Sequence, residues 1–354
     1  MIQYQKQTFR GRMVVLLGCL ASVGCMPELR RPLSTDGQRQ IRGEALMFLK
    51  EAVKSDDPTL RIQALEALQT VAAADGIPYI MDNIDNGYAG VSFAALMSAG
   101  AIQEKRCLEK TRIRAEDSDP HVRIAAIYAL HRLGDTKRTS ELGELLMNHP
   151  DARVRANAAV AIGRLGEKGS AGLLRTANHR EKKDVVKMQI REALAMLHDQ
   201  RATDELIFAG YSAVPDQALP ALAFLAEAKN DRAEDLFRHR LHKAEIPELR
   251  LIAARGLGRL GNNAGYDIAC AHLFFDSPQR NRKNDPPEQQ VARVRSLAAL
   301  ALEAINDPDS LGPLSDAFHD EQQGMAARLA IARATVGITN SLAHRATASG
   351  HPVN

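Results

Sequence analysis

The sequence predicts an all-α protein, an α-solenoid (superhelix) of about nine stacked helix hairpins. Three observations lead there. A pattern of apolar residues returns every 31 or 32 positions along most of the chain. Hydrophobic residues make up 45%, yet aromatics are 4% and Trp is absent, so the core material is Ala, Leu, Ile and Val. Ala and Leu favour helix, and no sustained alternation of β-branched and polar residues argues for a sheet. A chain of 354 residues exceeds what one core comfortably holds, whereas stacked repeats lengthen without thickening.

In chain order, residues 1–24 read as a signal peptide. Lys6, Arg10 and Arg12 precede an apolar run from Met13 to Val23, and Gly24-Cys25 follows. The run is eleven residues, against about 20 for a membrane-spanning helix. Without that segment Lys plus Arg falls from 46 to 43, equal to the 43 of Asp plus Glu. A charge-balanced chain lacks the general attraction for phosphate backbones, which argues against a nucleic-acid partner. Residues 25–37 are expected to be a tether.

The solenoid is expected over 38–342. Residues 122–135 (VRIAAIYALHRLGD) and 154–167 (VRANAAVAIGRLGE) show the frame, which returns at Leu249 and Val294 and more weakly at Leu60, Val91, Val186, Ala218 and Met325. Seven of the eight intervals are 31 or 32, and the eighth, 45, holds an insertion near 276–288 rich in Pro and charge, a candidate contact loop. Each copy is one amphipathic helix. Asp57-Pro58 and Asp119-Pro120 open helices, since Asp caps free amides and Pro needs no donor in a first turn. Gly134, Gly166 and Gly261 close them, because glycine accepts the left-handed terminating conformation. A second helix fits between copies, for example Ser140–Met147. Ala125, Ala126, Ala158 and Gly163 allow close helix approach. The tail, 343–354, is expected to be flexible.

Two resemblances add to this reading. Ser22-Val23-Gly24-Cys25 resembles a bacterial lipobox, with Ser22 in place of the usual Leu; it implies a lipid on Cys25 and an exported, membrane-anchored lipoprotein facing the periplasm or the extracellular side. Cys19 after Leu16-Leu17-Gly18 is a rival site with a shorter apolar run, and cleavage without acylation is the alternative. The pattern Asp-Pro-x-Val-Arg, then an Ala-rich helix and Leu-Gly, at 119–134 and nearly so at 150–166, resembles the HEAT repeats of the phycobilisome-lyase-like group. The resemblance implies second helices lining a concave face, and arginines after Val that clamp nearby Asp residues; Arg61, Arg123, Arg155, Arg250 and Arg295 match.

Catalytic constellations are missing from the sequence: it has no Gly-x-Ser-x-Gly, no phosphate loop and no dinucleotide fingerprint. His239 and His242 lie three apart without an evident third ligand, so neither metal nor cofactor is expected. Deoxyhypusine hydroxylases, which hold iron on HEAT-like repeats through His-Glu pairs, are the enzymatic alternative together with a lyase; none of the 11 His here precedes Glu. Cys107 and Cys270 stand about five repeats apart, too far for a disulfide, and read as buried hydrophobes. What remains is surface. Arg132, Arg164 and Arg259 stand ten after their repeat starts, and Tyr128 and Arg255 six after theirs. Arg and Tyr anchor protein interfaces, so these are the candidate partner-binding residues of a non-catalytic, membrane-tethered scaffold for a protein or peptide.

Overall fold

The computed structural model describes residues 30–278 and 285–348. They form nine antiparallel helix hairpins. In order these are α1 (Thr35–Ala52) with α2 (Pro58–Val71), α3 (Ala73–Asn83) with α4 (Ala89–Ile102), and α5 (Leu108–Arg114) with α6 (Pro120–Arg132). Next come α7 (Ser140–Asn148) with α8 (Ala152–Leu165), α9 (Ala171–Arg180) with α10 (Asp184–Met196), and α11 (Gln200–Gly210) with α12 (Pro215–Glu227). The last three are α13 (Glu234–Lys243) with α14 (Pro247–Arg259), α15 (Tyr266–His272) with α16 (Pro287–Ile305), and α17 (Leu311–His319) with α18 (Met325–Ala348). All nine expected repeat starts fall in the even-numbered helices, which form the inner layer.

Local chemistry sets the ends of these helices. Asp57, Asp119 and Asp151 accept hydrogen bonds from the amides of Thr59, His121 and Arg153 at 2.7–2.8 Å, with Pro58 and Pro120 in the first turn. Gly134, Gly166 and Gly261 stop inner helices with φ of 97°, 75° and 82°. In repeats without that glycine, Gln103, His198, Lys229 and Asn306 take the left-handed conformation instead, with φ between 50° and 66°.

The inner layer packs through small residues nine positions after a repeat start. A Cβ on Gly100 would lie 2.8 Å from Ala129 Cα, one on Gly163 2.7 Å from Ala193 Cα, and one on Gly258 2.6 Å from the Ile305 amide nitrogen. These glycines let α4 and α6, α8 and α10, and α14 and α16 pack almost backbone to backbone. Between α10 and α12 no such glycine exists and Pro220 sits inside α12. That seam is the loosest of the inner wall.

The solenoid does not stay open. Helix α18 packs on α2 and α1, so the ninth repeat meets the first and the chain closes into a ring. Asn340 stitches the junction: its side-chain amide donates to the Val71 carbonyl at 2.6 Å and its oxygen accepts from Arg42 Nε at 3.0 Å. Phe48 of α1 meets Phe318 of α17 edge to face with centroids 5.5 Å apart, and His319 Nε2 lies 2.8 Å from Glu44 Oε2. Closure explains why α18 buries residues around more than one face, Leu329, Ile331, Val336 and Ile338 among them, where an end helix would show a polar outer face.

Several expected boundaries shift. Of the expected 25–37 tether, residues from Arg30 onward are docked. The Arg31 amide donates to Asp309 O at 3.1 Å, its carbonyl accepts from the Gly312 amide at 3.0 Å, and the Arg30 guanidinium stacks 4.0 Å over the Tyr266 ring. The expected flexible tail is helical as far as Ala348. At the insertion, Asp285 is held by Arg293, which also bonds the buried Glu248. Residues 279–284, the segment 1–29 with Cys25, and 349–354 lie outside the described residues. No described helix is long and apolar enough to cross a membrane.

The recurring arginines bind loop carbonyls, where the resemblance implied Asp carboxylates. Arg61 donates to Ser55 O, Arg123 to Asp117 O and Ser118 O, Arg155 to His149 O and Pro150 O, Arg250 to Leu241 O, and Arg295 to Phe275 O and Gln322 O. A loop facing the start of its inner helix offers carbonyls without intrahelical partners, and a planar guanidinium bonds two at once.

Arg155 also reaches Glu181, through Nε at 2.7 Å and Nη2 at 3.0 Å. These bonds, helped by the amides of Lys183 and Lys182, hold the Glu181 carboxyl down at about 2 against an ordinary 4.5. A carboxylate whose pKa is lowered by folding adds stability above its unfolded pKa, and that contribution vanishes as pH falls through the folded value. Glu181→Gln should therefore cost about 2 kcal/mol at neutral pH, and urea titrations of the two proteins should converge between pH 4.5 and 2.

Candidate functional site

Ring closure turns the concave face of the solenoid into an interior wall. Side chains six and eight to ten positions after the repeat starts converge there from repeats far apart in sequence. Glu66 of α2 lies in the field of Arg164 of α8 and Arg333 of α18, and burial raises its carboxyl above the usual range. Arg255 of α14 senses Glu227, Arg333, Arg259 and Glu303, and burial lowers its guanidinium. Glu66 and Arg164 are solvent-exposed, so the wall they share borders open space. Toward the C-terminal ends of the inner helices this space widens into a cavity of about 720 Å³ lined by Thr70, Lys229, Arg259, Glu303, Asn340 and His344, among others.

Four of the five residues singled out as partner-binding face this interior. Arg255 and Arg259 share the Glu227 carboxylate, Arg259 at 3.3 Å. Among the described residues Arg132 bonds only the Gly100 carbonyl, through Nε at a long 3.4 Å. Arg164 carries no hydrogen bond or ion pair among the described residues. Tyr128 departs from expectation: its ring lies against Gly100, it is 4% exposed, and burial raises its hydroxyl pKa despite Arg132 and Arg164. It is core and offers no surface to a partner. The missing side chain opposite, at Gly100, is what admits the ring.

Sequence reasoning passed over the interior carboxylates. Glu192 sits at the repeat position that carries Glu66, Tyr128 and Arg255 elsewhere; burial, opposed in part by a hydrogen bond from Gln189, brings its carboxyl up to about 7. Glu227 and Glu303 stand nine after their repeat starts, and Glu303 pairs with Arg333 at 2.9 Å. Their signal was present as acidic residues at inner-face positions of otherwise apolar helices. A second hollow, about 840 Å³, opens at the loose α10–α12 seam beside Phe208, 82% exposed, and Tyr211.

Among the described residues no three His, Cys, Asp or Glu are grouped to hold a metal, and His239 lies tilted against Tyr211 with ring centroids 5.4 Å apart. Cys107 and Cys270 are buried and outside any disulfide. Burial pushes both thiols up to about 11, well away from the thiolate that would make them reactive.

Residues 108–195 match the family model for HEAT repeats. Over 199 residues, 56% of this chain, the sequence is 30% identical to a HEAT repeat-containing taxis protein of Halobacterium salinarum, and the match spans 42% of that protein's length. Among solved structures, the CpcE and CpcF complex of phycocyanin lyase from Nostoc sp. superposes with a TM-score of 0.41 at 17% identity, covering 78% of this chain and 98% of that one. Human deoxyhypusine hydroxylase gives a TM-score of 0.32 at 17% identity, covering 87% and 99%. Residues 108–195 are thus HEAT repeats, and their spacing runs through all nine hairpins of the α-solenoid.

Proposed function

We propose that this protein is a non-catalytic scaffold, exported and held at a membrane through a lipidated Cys25, which holds a protein or peptide partner against the interior of its ring. The observation that carries the reading is the convergence of Arg132, Arg164, Arg255 and Arg259, from three inner helices, on the interior wall, with no grouped metal ligands among the described residues. Arginine supplies planar, multiply donating anchors at interfaces. The anchor follows from the order of charge, apolar run and Gly24-Cys25 at the N-terminus. Because Arg30 is fixed to the eighth repeat at Tyr266 and Arg31 to the ninth, the tether would be only the five steps from Cys25 to Arg30, roughly 17 Å at full stretch, and the ring would sit close to the bilayer.

Two measurements test the reading together. Intact mass of the membrane fraction should give a chain beginning at Cys25 with added acyl mass, abolished by Cys25→Ala; a full-length chain from Met1 in the soluble fraction would remove the tether. A photo-crosslinking residue at Thr70, in the interior cavity, should yield a defined adduct in the native host that the same probe at the outer Arg201 does not. Adducts from the outer position alone would refute an interior binding surface.

A further inference from the structure

We infer that the ring interior holds an acidic, extended peptide segment, gripped by Arg132 and Arg164. This deepens the scaffold reading and rests on it.

Arg132, Arg164, Arg255, Arg259 and Arg333 of the interior wall fall into two sets. Arg255 and Arg259 are answered by Glu227, and Arg333 by Glu303. Arg132 and Arg164 have no carboxylate partner among the described residues; one makes a single long bond to a carbonyl and the other makes none. Glu66 lies in the field of Arg164 without a hydrogen bond to it. Both arginines lie at or just before the last turn's end of α6 and α8, where the helix dipole keeps a cation favourable without a carboxylate. They are charged groups held ready in a space where protein replaces part of the solvent, so an incoming anion meets a stronger field there than on an open surface.

Spacing and shape narrow the occupant. Arg132 and Arg164 occupy the same position in successive repeats, so their helices stand roughly 10 Å apart, the distance between residues i and i+3 of a segment in the extended polyproline II conformation, whose three-residue turn keeps both on one face. A planar guanidinium takes a carboxylate through two parallel bonds, and two of them in line select a chain bearing acids at that interval. An extended segment is thin enough to lie along the inner wall of a closed ring and to meet both guanidinium groups at once.

The test uses the full-length purified protein and a fluorescein-labelled peptide with Glu at every third position among Gly and Ser, compared with its Gln counterpart. Fluorescence anisotropy should show saturable binding of the Glu peptide and at least about tenfold weaker binding of the Gln peptide. Arg132→Gln/Arg164→Gln should lose about tenfold in affinity with unchanged helical circular dichroism and thermal midpoint, while Arg201→Gln on the outer surface should leave it unchanged. Equal affinity for both peptides, or an unaffected double variant, overturns the inference. So does displacement of the peptide by equimolar inorganic phosphate, which would mark a small-anion site. A Thr70 crosslink to a partner without acidic runs, together with failure to bind the Glu peptide, would defeat this inference and leave the scaffold reading standing.

Discussion

The double variant Phe318→Ala/Asn340→Leu is expected to open the ring while leaving its helices intact. Phe318 is 5% exposed and carries the edge-to-face contact with Phe48 that docks α1 on the ninth repeat. Truncating such a ring costs about 3–5 kcal/mol, from lost burial and the cavity left behind. Asn340 joins α18 to the Val71 carbonyl on one side and to Arg42 on the other. Leucine there strands both partners, at about 1–3 kcal/mol. The remaining seams are unchanged, so each hairpin keeps its neighbours and far-ultraviolet circular dichroism should stay near that of the parent. The radius of gyration from small-angle X-ray scattering should rise as the first and ninth repeats part. An unchanged radius together with a lowered urea midpoint would mean that Arg30, Arg31 and the α18–α2 contact are enough to keep the ring shut.

Gly258→Val should be the most damaging single substitution in the inner wall. A Cβ there would stand 2.6 Å from the Ile305 amide nitrogen and 2.8 Å from the Ala304 carbonyl carbon. Both are backbone atoms of the neighbouring helix, so no rotamer change relieves the clash and α14 must move away from α16. The expected loss is about 3 kcal/mol or more, since overpacking costs about 1–3 kcal/mol even where side chains can adjust. Gly43→Ala is the matching control. It lies in the middle of α1 with nothing within 4 Å of the added methyl, and alanine should stabilise the helix by about 1 kcal/mol. Urea denaturation of the two variants should shift in opposite directions; a Gly258→Val midpoint within error of the parent would show that the close approach of α14 and α16 carries no structural weight.

What could be read from the sequence alone is the local part of this protein. The register of all nine repeats, the Asp caps with their prolines and the terminating glycines follow from interactions within a few residues, and the structure places them where the spacing did. The inward direction of Arg132, Arg164, Arg255 and Arg259 was also legible, because helical periodicity assigns each position to a face. Three things were not. Gln103, His198, Lys229 and Asn306 end helices in a conformation that glycine would have announced, because tertiary contacts on the hairpin override the local preference. Tyr128 looked like an interface anchor, and only the absent side chain of Gly100 on the adjoining helix decided that it would be core. Closure itself was invisible: Asn340 reads as an ordinary polar residue near a chain end, and its partners Arg42 and Val71 lie 298 and 269 positions away. Each seam contributes a small rotation set by how closely its two backbones approach, and a solenoid becomes a ring only when those rotations add up to a full turn, a sum that exists in three dimensions and in no single repeat.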